Sequence, residues 1–194
     1  MIHIENRRKQ EKSLLQRYPG AQLLDLTSNS PTDWVKMSPF YPHGDIPIPF
    51  SNGQTAMSVE GIWQGLKVFE QAGVDASKFS NSTMKNLKRT VRKYGSPLGH
   101  RKGVSGQELL GYLEARIRIY LPAYRWVLEN KVTGLITQLK EMAKNSDIVL
   151  LDYETNCDVM NPSAPLSHAA LVKAIVQEEY PDEATLLAKL QAGT

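Results

Sequence analysis

The stretch from Ser58 to Gly73, SVEGIWQGLKVFEQAG, constrains the fold of this chain more than any other. Val59, Ile62, Trp63, Leu66 and Phe69 recur at helical spacing on one broad apolar face. Ser58 is a suitable N-cap, and Gly73 a suitable stop. A helix of that kind must bury its apolar face against a second layer. The same helix carries an ordered polar stripe: Glu60, Gln64, Lys67 and Gln71. Two readings of the stripe stand open. It is a solvated face whose Glu60 complements the helix dipole, worth about 0.3–1 kcal/mol, or Glu60 points into a site.

The rest of the chain supplies the second layer. AQLLDLT (21–27) reads as a strand, and DIVLLDYE (147–154) as a buried one. Residues 5–18 read as a short charged helix. The Pro-, Ser- and Gly-rich region 28–52 reads as loops with a short edge strand at IPIPF, and Asn52-Gly53 as a turn. Met84, Leu87, Val91 and Tyr94 predict a helix over 82–94. Ser105-x-x-Glu108 forms a capping box for a helix to about 121. A further helix extends to about 144, and SHAALVKAIVQEE and PDEATLLAKLQ make two more. The class expected is α+β, a single helix-rich domain with a small sheet spanning 1–194. With 194 residues, 41% of them hydrophobic, the chain is long enough for a sizeable core.

No apolar run approaches the ~20 residues that cross a bilayer, and MIHIENRRKQEKS lacks the apolar centre of a secretory signal. The single cysteine, Cys157, permits no internal disulfide and is read as a buried, inert thiol. These features predict a cytoplasmic protein. GSPLGHRKG fails the spacing of a phosphate loop, and no G-x-G-x-x-G follows a strand. Asp152-x-Glu154-x-Asn156-x-Asp158 imitates a calcium loop, but Cys157 replaces the turn glycine and Ser163 the closing glutamate. Neither a metal nor a cofactor is expected. A Cys157–His168 nucleophile pair is a weaker alternative.

Charge is distributed unevenly. Between Asp75 and Glu108 there is no acidic residue, while Lys78, Lys85, Lys88, Arg89, Arg92, Lys93, Arg101 and Lys102 fall inside that window. With His100 in the G-H-R-K-G loop, this is the electrostatic footprint of a polyanion-binding face. Its bland counterpart is an ordinary solvated surface. Asp152 lies where the apolar strand leaves the core, a common place for a site. The bland counterpart there is a loop aspartate capping its own backbone. His168, in S167-H-A-A, falls in the first turn of a helix facing the same loop, or else on the surface.

The segments M37-S-P-F-Y and G53-Q-T-A-M-S-V-E-G-I-W-Q-G-L-K-V-F resemble the signature of the NADAR, or YbiA-like, superfamily. Ser58, Glu60, Trp63, Gln64, Lys67 and Phe69 stand close to the family's helix pattern. The resemblance covers roughly residues 37–160, leaving 1–36 and 161–194 as additions. The family's W-G-x-G segment is replaced here by N161-P-S-A-P-L-S-H-A-A-L. What the resemblance implies is hydrolysis of N-glycosidic bonds in nucleotide-like or ADP-ribosylated molecules. Such a reaction builds an oxocarbenium-like centre that a carboxylate stabilises, and the leaving base needs a proton.

Glu60 and Asp152 are accordingly expected as the carboxylate pair. Gln64, Lys67, Asn156, Asp158 and His168 are expected to orient the substrate. Trp63, Phe40 and Tyr41 are expected to stack on an extruded base. Lys85, Lys88, Arg89, Arg92, Lys93, His100, Arg101 and Lys102 are expected on a phosphate backbone. The function expected is a DNA glycosylase removing a modified base, an activity suited to defence against viruses with modified DNA. A hydrolase of ADP-ribosylated or other small nucleotides is one alternative. A non-catalytic nucleic-acid binder is another. A Schiff-base lyase acting through Lys67 is a variant of the first.

Overall fold

A computed structural model describes residues 1–193 and gives an α+β protein. The chain packs as two compact units. The first joins Met1–Ser38 to Leu128–Pro181, and the second is built from Pro39–Val127 and the segment that starts at Asp182. Elements are numbered along the chain.

The first unit is organised by a parallel sheet of β1 (Ile2–Asn6), β2 (Gln22–Asp25) and β8 (Ile148–Asp152), in the order β1-β8-β2. Ile2 and Gln22 both pair with Ile148, which sets the register on either side of the central strand. All five residues of β8 are buried, as its unbroken apolar run requires. Helix α1 (Glu11–Arg17) packs Leu14 against Ala21, Val149 and Leu151. Helices α6 (Thr133–Asn145) and α7 (His168–Val176) complete this unit.

The helix expected over 5–18 is shorter, Glu11–Arg17, and its first expected residues, Glu5 and Asn6, end the strand Ile2–Asn6. IHIEN becomes a strand only because β8 lies alongside it. Its buried Glu5 accepts hydrogen bonds from Lys9, Arg17 and the Tyr18 hydroxyl, which accounts for the charged residues that suggested a helix.

In the second unit, α2 (Val59–Leu66) is the central element. Val59, Ile62 and Leu66 are buried, and Ser58 Oγ accepts from the Gly61 N–H at 3.0 Å, the expected cap. The helix is shorter than predicted: the backbone turns extended at Lys67, and Lys67–Phe69 form β5. This strand pairs antiparallel with β6 (Pro97–Arg101), which pairs with β7 (Leu109–Leu110). Thr55–Ala56 (β4) pair with Ile46–Pro47 (β3), the edge pair expected near IPIPF.

Two other helices differ from expectation. Over 82–94 only Val91–Tyr94 (α3) is helical. Met84 and Asn86 take φ of 57°, and Asn81 and Thr83 side chains bond nearby backbone groups, competing with helical bonds. The Ser105 capping box caps nothing. Lys102 N–H bonds the Glu108 carbonyl at 2.9 Å, closing a β6–β7 hairpin. Helix resumes as α4 (Tyr112–Ala115), passes through a π-helical stretch at Arg116–Tyr120 and continues as α5 (Leu121–Asn130). Residues after Asn130 start the separate α6, so the long helix expected to about 144 is two. Helix α8 (Glu183–Ala192) closes the second unit. No helix among the described residues is long and apolar enough to cross a membrane.

Candidate active site

The polar stripe divides: Gln71 is exposed and Lys67 half-buried beyond the helix end, while Glu60 and Gln64, on α2, are buried. Glu60 is 8% exposed and Gln64 is buried beside it. Spaced i, i+4, they lie one above the other, and Gln64 Nε2 donates to Glu60 Oε1 at 2.9 Å. The Gln64 side-chain carbonyl oxygen accepts from the Arg89 backbone N–H at 3.0 Å. Both ends of the amide are therefore engaged, which fixes its orientation and presents its N–H to the carboxyl.

Burial drives the Glu60 pKa up, opposed by the Gln64 hydrogen bond and by the Lys88 and Lys67 charges. Lys67, just past the helix end, is held below the ordinary lysine value by desolvation and by Arg89, against the pull of Glu60. A carboxyl pushed up and an amine pushed down, each sensing the other, are shifted towards one another, the pattern of groups that exchange protons.

Arg89 builds this site without belonging to it chemically. Its guanidinium donates to the carbonyls of Gln64, Lys67 and Gly73 and lies over the Phe69 and Tyr94 rings. It ties the end of α2 to the basic segment. His100 is 2% exposed; it stands opposite Lys67 in the β5–β6 register and packs on Trp63 with ring centroids 3.7 Å apart. Neither of its nitrogens has a hydrogen-bond partner. Burial, aided by the Lys67 charge, takes its pKa down to about 3, so the ring is neutral. Tyr112 and Tyr120 meet the Trp63 ring edge-on at 6.0 and 5.8 Å.

These positions correct the expected phosphate-binding set. Arg89 and His100 are interior residues. Lys102 pairs with Glu108 at 2.7 Å, and Arg101 donates to the Gln107 carbonyl. Lys85, Lys88, Arg92 and Lys93 are exposed on the loop and short helix on either side of Arg89. Lys88 reaches the Phe40 ring at 5.7 Å, and the Tyr41 ring packs at a tilt against His43, centroids 4.7 Å apart. Trp63, expected to stack on a base, has one face already taken by His100.

The other expected residues lie in the first unit. Asp152, at the end of β8, is buried. Its Oδ2 accepts from the Ser167 hydroxyl at 2.8 Å and from His168 Nδ1 at 2.9 Å, and its Oδ1 from the Tyr153 N–H. His168 Nε2 faces the Leu26 carbonyl at 2.9 Å. Facing two acceptors, the ring carries both protons. Although burial opposes its charge, Asp152 and the Leu26 carbonyl raise the His168 pKa. Burial likewise raises Asp152, but the His168 charge and the hydrogen bonds outweigh it and leave the pKa lowered.

Serine, histidine and aspartate thus meet, but not as a nucleophile triad. The serine hydroxyl bonds the carboxylate, and the far histidine nitrogen bonds a carbonyl. The group clamps β8, the end of β2 and the N-terminus of α7. Asn156 bonds the Asp158 and Ala164 carbonyls, and Asp158 accepts from the Met160 N–H, so both shape their own loop. Cys157 is exposed, not buried as expected, and its sulfur faces the Thr155 carbonyl. Among the described residues no three His, Cys, Asp or Glu side chains gather as a metal site.

The buried Glu60–Gln64 pair was legible as an i, i+4 spacing. The Trp63–His100 stack was not, because it depends on β5 replacing the last turn of the expected helix. The fold and this site define an α+β protein with a buried carboxyl and amide on one helix and a half-buried amine at the start of the strand that follows it. Residues 6–172 match the family described as "Family of unknown function (DUF6939)", and the chain belongs to that family. No curated protein and no solved structure is significantly similar to it.

Proposed function

We propose that the chain hydrolyses an N-glycosidic bond at Glu60, with a modified base in DNA as its substrate. The observation that carries this reading is the buried Glu60 carboxyl, held by Gln64 and sensing both Lys67 and Lys88. Lys88 is the link to the exposed cations. It belongs to the segment bearing Lys85, Arg92 and Lys93, so a phosphate backbone bound there delivers its sugar towards Glu60. The resemblance of residues 53–69 to the NADAR helix supports the same chemistry.

In this reaction Glu60 accepts a proton from water as the water oxygen attacks the anomeric carbon. The carbon–nitrogen bond breaks, and its electron pair leaves with the base. The Lys67 ammonium, acidified by burial, gives that base its proton. The products are a free base and an abasic sugar. Asp152 takes no part; its carboxylate is committed to Ser167 and His168. Such an activity suits defence against viruses whose DNA carries modified bases.

One observation favours the small-nucleotide reading. With Arg89 and His100 buried, fewer cations face solvent than the acid-free window suggested. A purely binding role gives no use to a carboxyl buried at such cost.

Mass spectrometry of bases released from plain, hydroxymethylated and glucosylated-cytosine DNA tests the reading. Release of one base with matching abasic sites, absent in Glu60→Gln, supports it. Release from ADP-ribosylated nucleotides but from no DNA transfers the substrate to the small-nucleotide class. Release from neither refutes the glycosidase.

A further inference from the structure

We propose that the Trp63–His100 stack is the base-recognition element of the Glu60 site, with a ring nitrogen of His100 as hydrogen-bond partner for a planar heteroaromatic ligand. The inference rests on the reading of Glu60 as a glycosidase carboxyl and names what holds the leaving group.

Its first support is the unsatisfied imidazole. Both ring nitrogens of His100 are buried and neither has a partner. Nine in ten or more buried polar groups in folded proteins are paired, so an orphan ring with two such atoms calls for a reason. Apolar residues fill that volume without the penalty, and the rest of the β6–β7 core uses them: Leu110, its partner across the sheet, is fully buried.

The second support is position. Trp63 follows Glu60 by three residues, so the two side chains neighbour one another on α2. His100 stands directly across from Lys67, on the same sheet face. The stack therefore adjoins both groups assigned to the proton transfers. Tyr112 and Tyr120 meet the Trp63 ring edge-on, and Tyr120 ends a π-helical stretch, a feature often found at functional sites.

The third support is chemistry. A neutral imidazole offers one N–H and one bare nitrogen. Nucleobase edges carry both complements on a flat ring that stacks, whereas a phosphate offers no such face. Lys67 lies against the Trp63 ring at 5.9 Å.

The test uses the full chain labelled with ¹⁵N and a panel of free bases: adenine, guanine, cytosine and 5-hydroxymethylcytosine. The imidazole signals of His100 are assigned by their loss in His100→Leu. The expected result is a shift of those signals with one base, and weakening of that base's affinity by about tenfold or more in His100→Leu. The same variant's melting temperature stays level or rises, because the orphan polar group is gone. Signals unmoved by every base, with base release unchanged in His100→Leu, overturn the inference.

The two readings fail separately. His100 signals that shift while Glu60→Gln still releases base leave this inference standing and remove Glu60's role. Release that depends on Glu60 while the His100 signals stay still does the reverse.

Discussion

His168 gives both ring protons away: Nδ1 lies 2.9 Å from Asp152 Oδ2, and Nε2 lies 2.9 Å from the Leu26 carbonyl oxygen. One charged ring thus ties the ends of two parallel strands to the start of α7. Its titration sets a pH window for the first unit. The His168 pKa is raised, so its contribution is complete below the ordinary value of 6.5 and is lost as pH rises through the raised value. The Asp152 pKa is lowered, so its contribution is complete above 3.8 and is lost as pH falls through the lowered value. Denaturant melts should therefore show a plateau between about pH 4 and 6.5. His168→Gln should abolish the alkaline slope and cost about 3–5 kcal/mol, because it removes the charged partner of a buried carboxylate. A variant that keeps the wild type's slope above pH 6.5 would mean that the pair carries no charge.

Glu60→Gln separates chemistry from folding. The substitution keeps the shape and an acceptor for Gln64, but removes the proton-transfer group. Turnover should fall about 10²–10⁴-fold. Stability should move the other way. The Glu60 pKa is raised by burial, so the wild type loses stability as pH climbs from 4.5 through the raised value. Gln does not titrate, and the difference between the two melting profiles should widen over that interval. A variant that turns over normally removes Glu60 from the mechanism.

Arg89 and its exposed neighbours should respond to substitution in opposite ways. Arg89→Ala leaves the Gln64, Lys67 and Gly73 carbonyls without their donor. Each stranded group costs about 1–3 kcal/mol, so the variant should be severely destabilised. Arg89→Lys should not rescue it, since an ammonium cannot span the fork. Lys88→Ala and Lys93→Ala should stay within about 0.5 kcal/mol of wild type. Each should make the salt dependence of DNA binding shallower by about one. Filter binding across a salt series measures this; identical slopes would remove the basic segment from any DNA interface.

How far the residues foretold this arrangement depends on the range of the forces involved. Ser58 as a cap and 147–154 as a strand were legible because a cap is local and an unbroken apolar run is self-evident. The strand IHIEN was not, since Ile2 acquires its partner from Ile148, far along the chain. Met84, Leu87, Val91 and Tyr94 have helical spacing. Yet the Arg89 N–H bonds Gln64 across the unit, and Asn81 and Thr83 hold the loop open. Of the two readings open for His168, the structure has the one that faces Asp152 and not the surface one. Their engagement with Ser167 and Leu26 was invisible, because spacing along a chain does not reveal what a side chain already holds.

Gly65 tests how tightly the site is held by packing. Alanine is favoured over glycine in a helix by about 0.8–1 kcal/mol, so propensity alone predicts stabilisation. A Cβ at Gly65, however, would stand 2.2 Å from Cε1 of Phe79, a buried ring. Overpacking of that kind costs about 1–3 kcal/mol and forces the helix or the ring to move. Gly65→Ala should therefore destabilise the protein. Because Gln64 precedes it, the shift should reach the Glu60 hydrogen bond and lower turnover as well. Gly134, in α6, has nothing within 4 Å of an added Cβ. There the propensity term acts alone, and Gly134→Ala should stabilise by about 0.4–1 kcal/mol. Equal and positive effects of the two substitutions in urea titrations would show that Phe79 yields freely and that α2 is not braced against it.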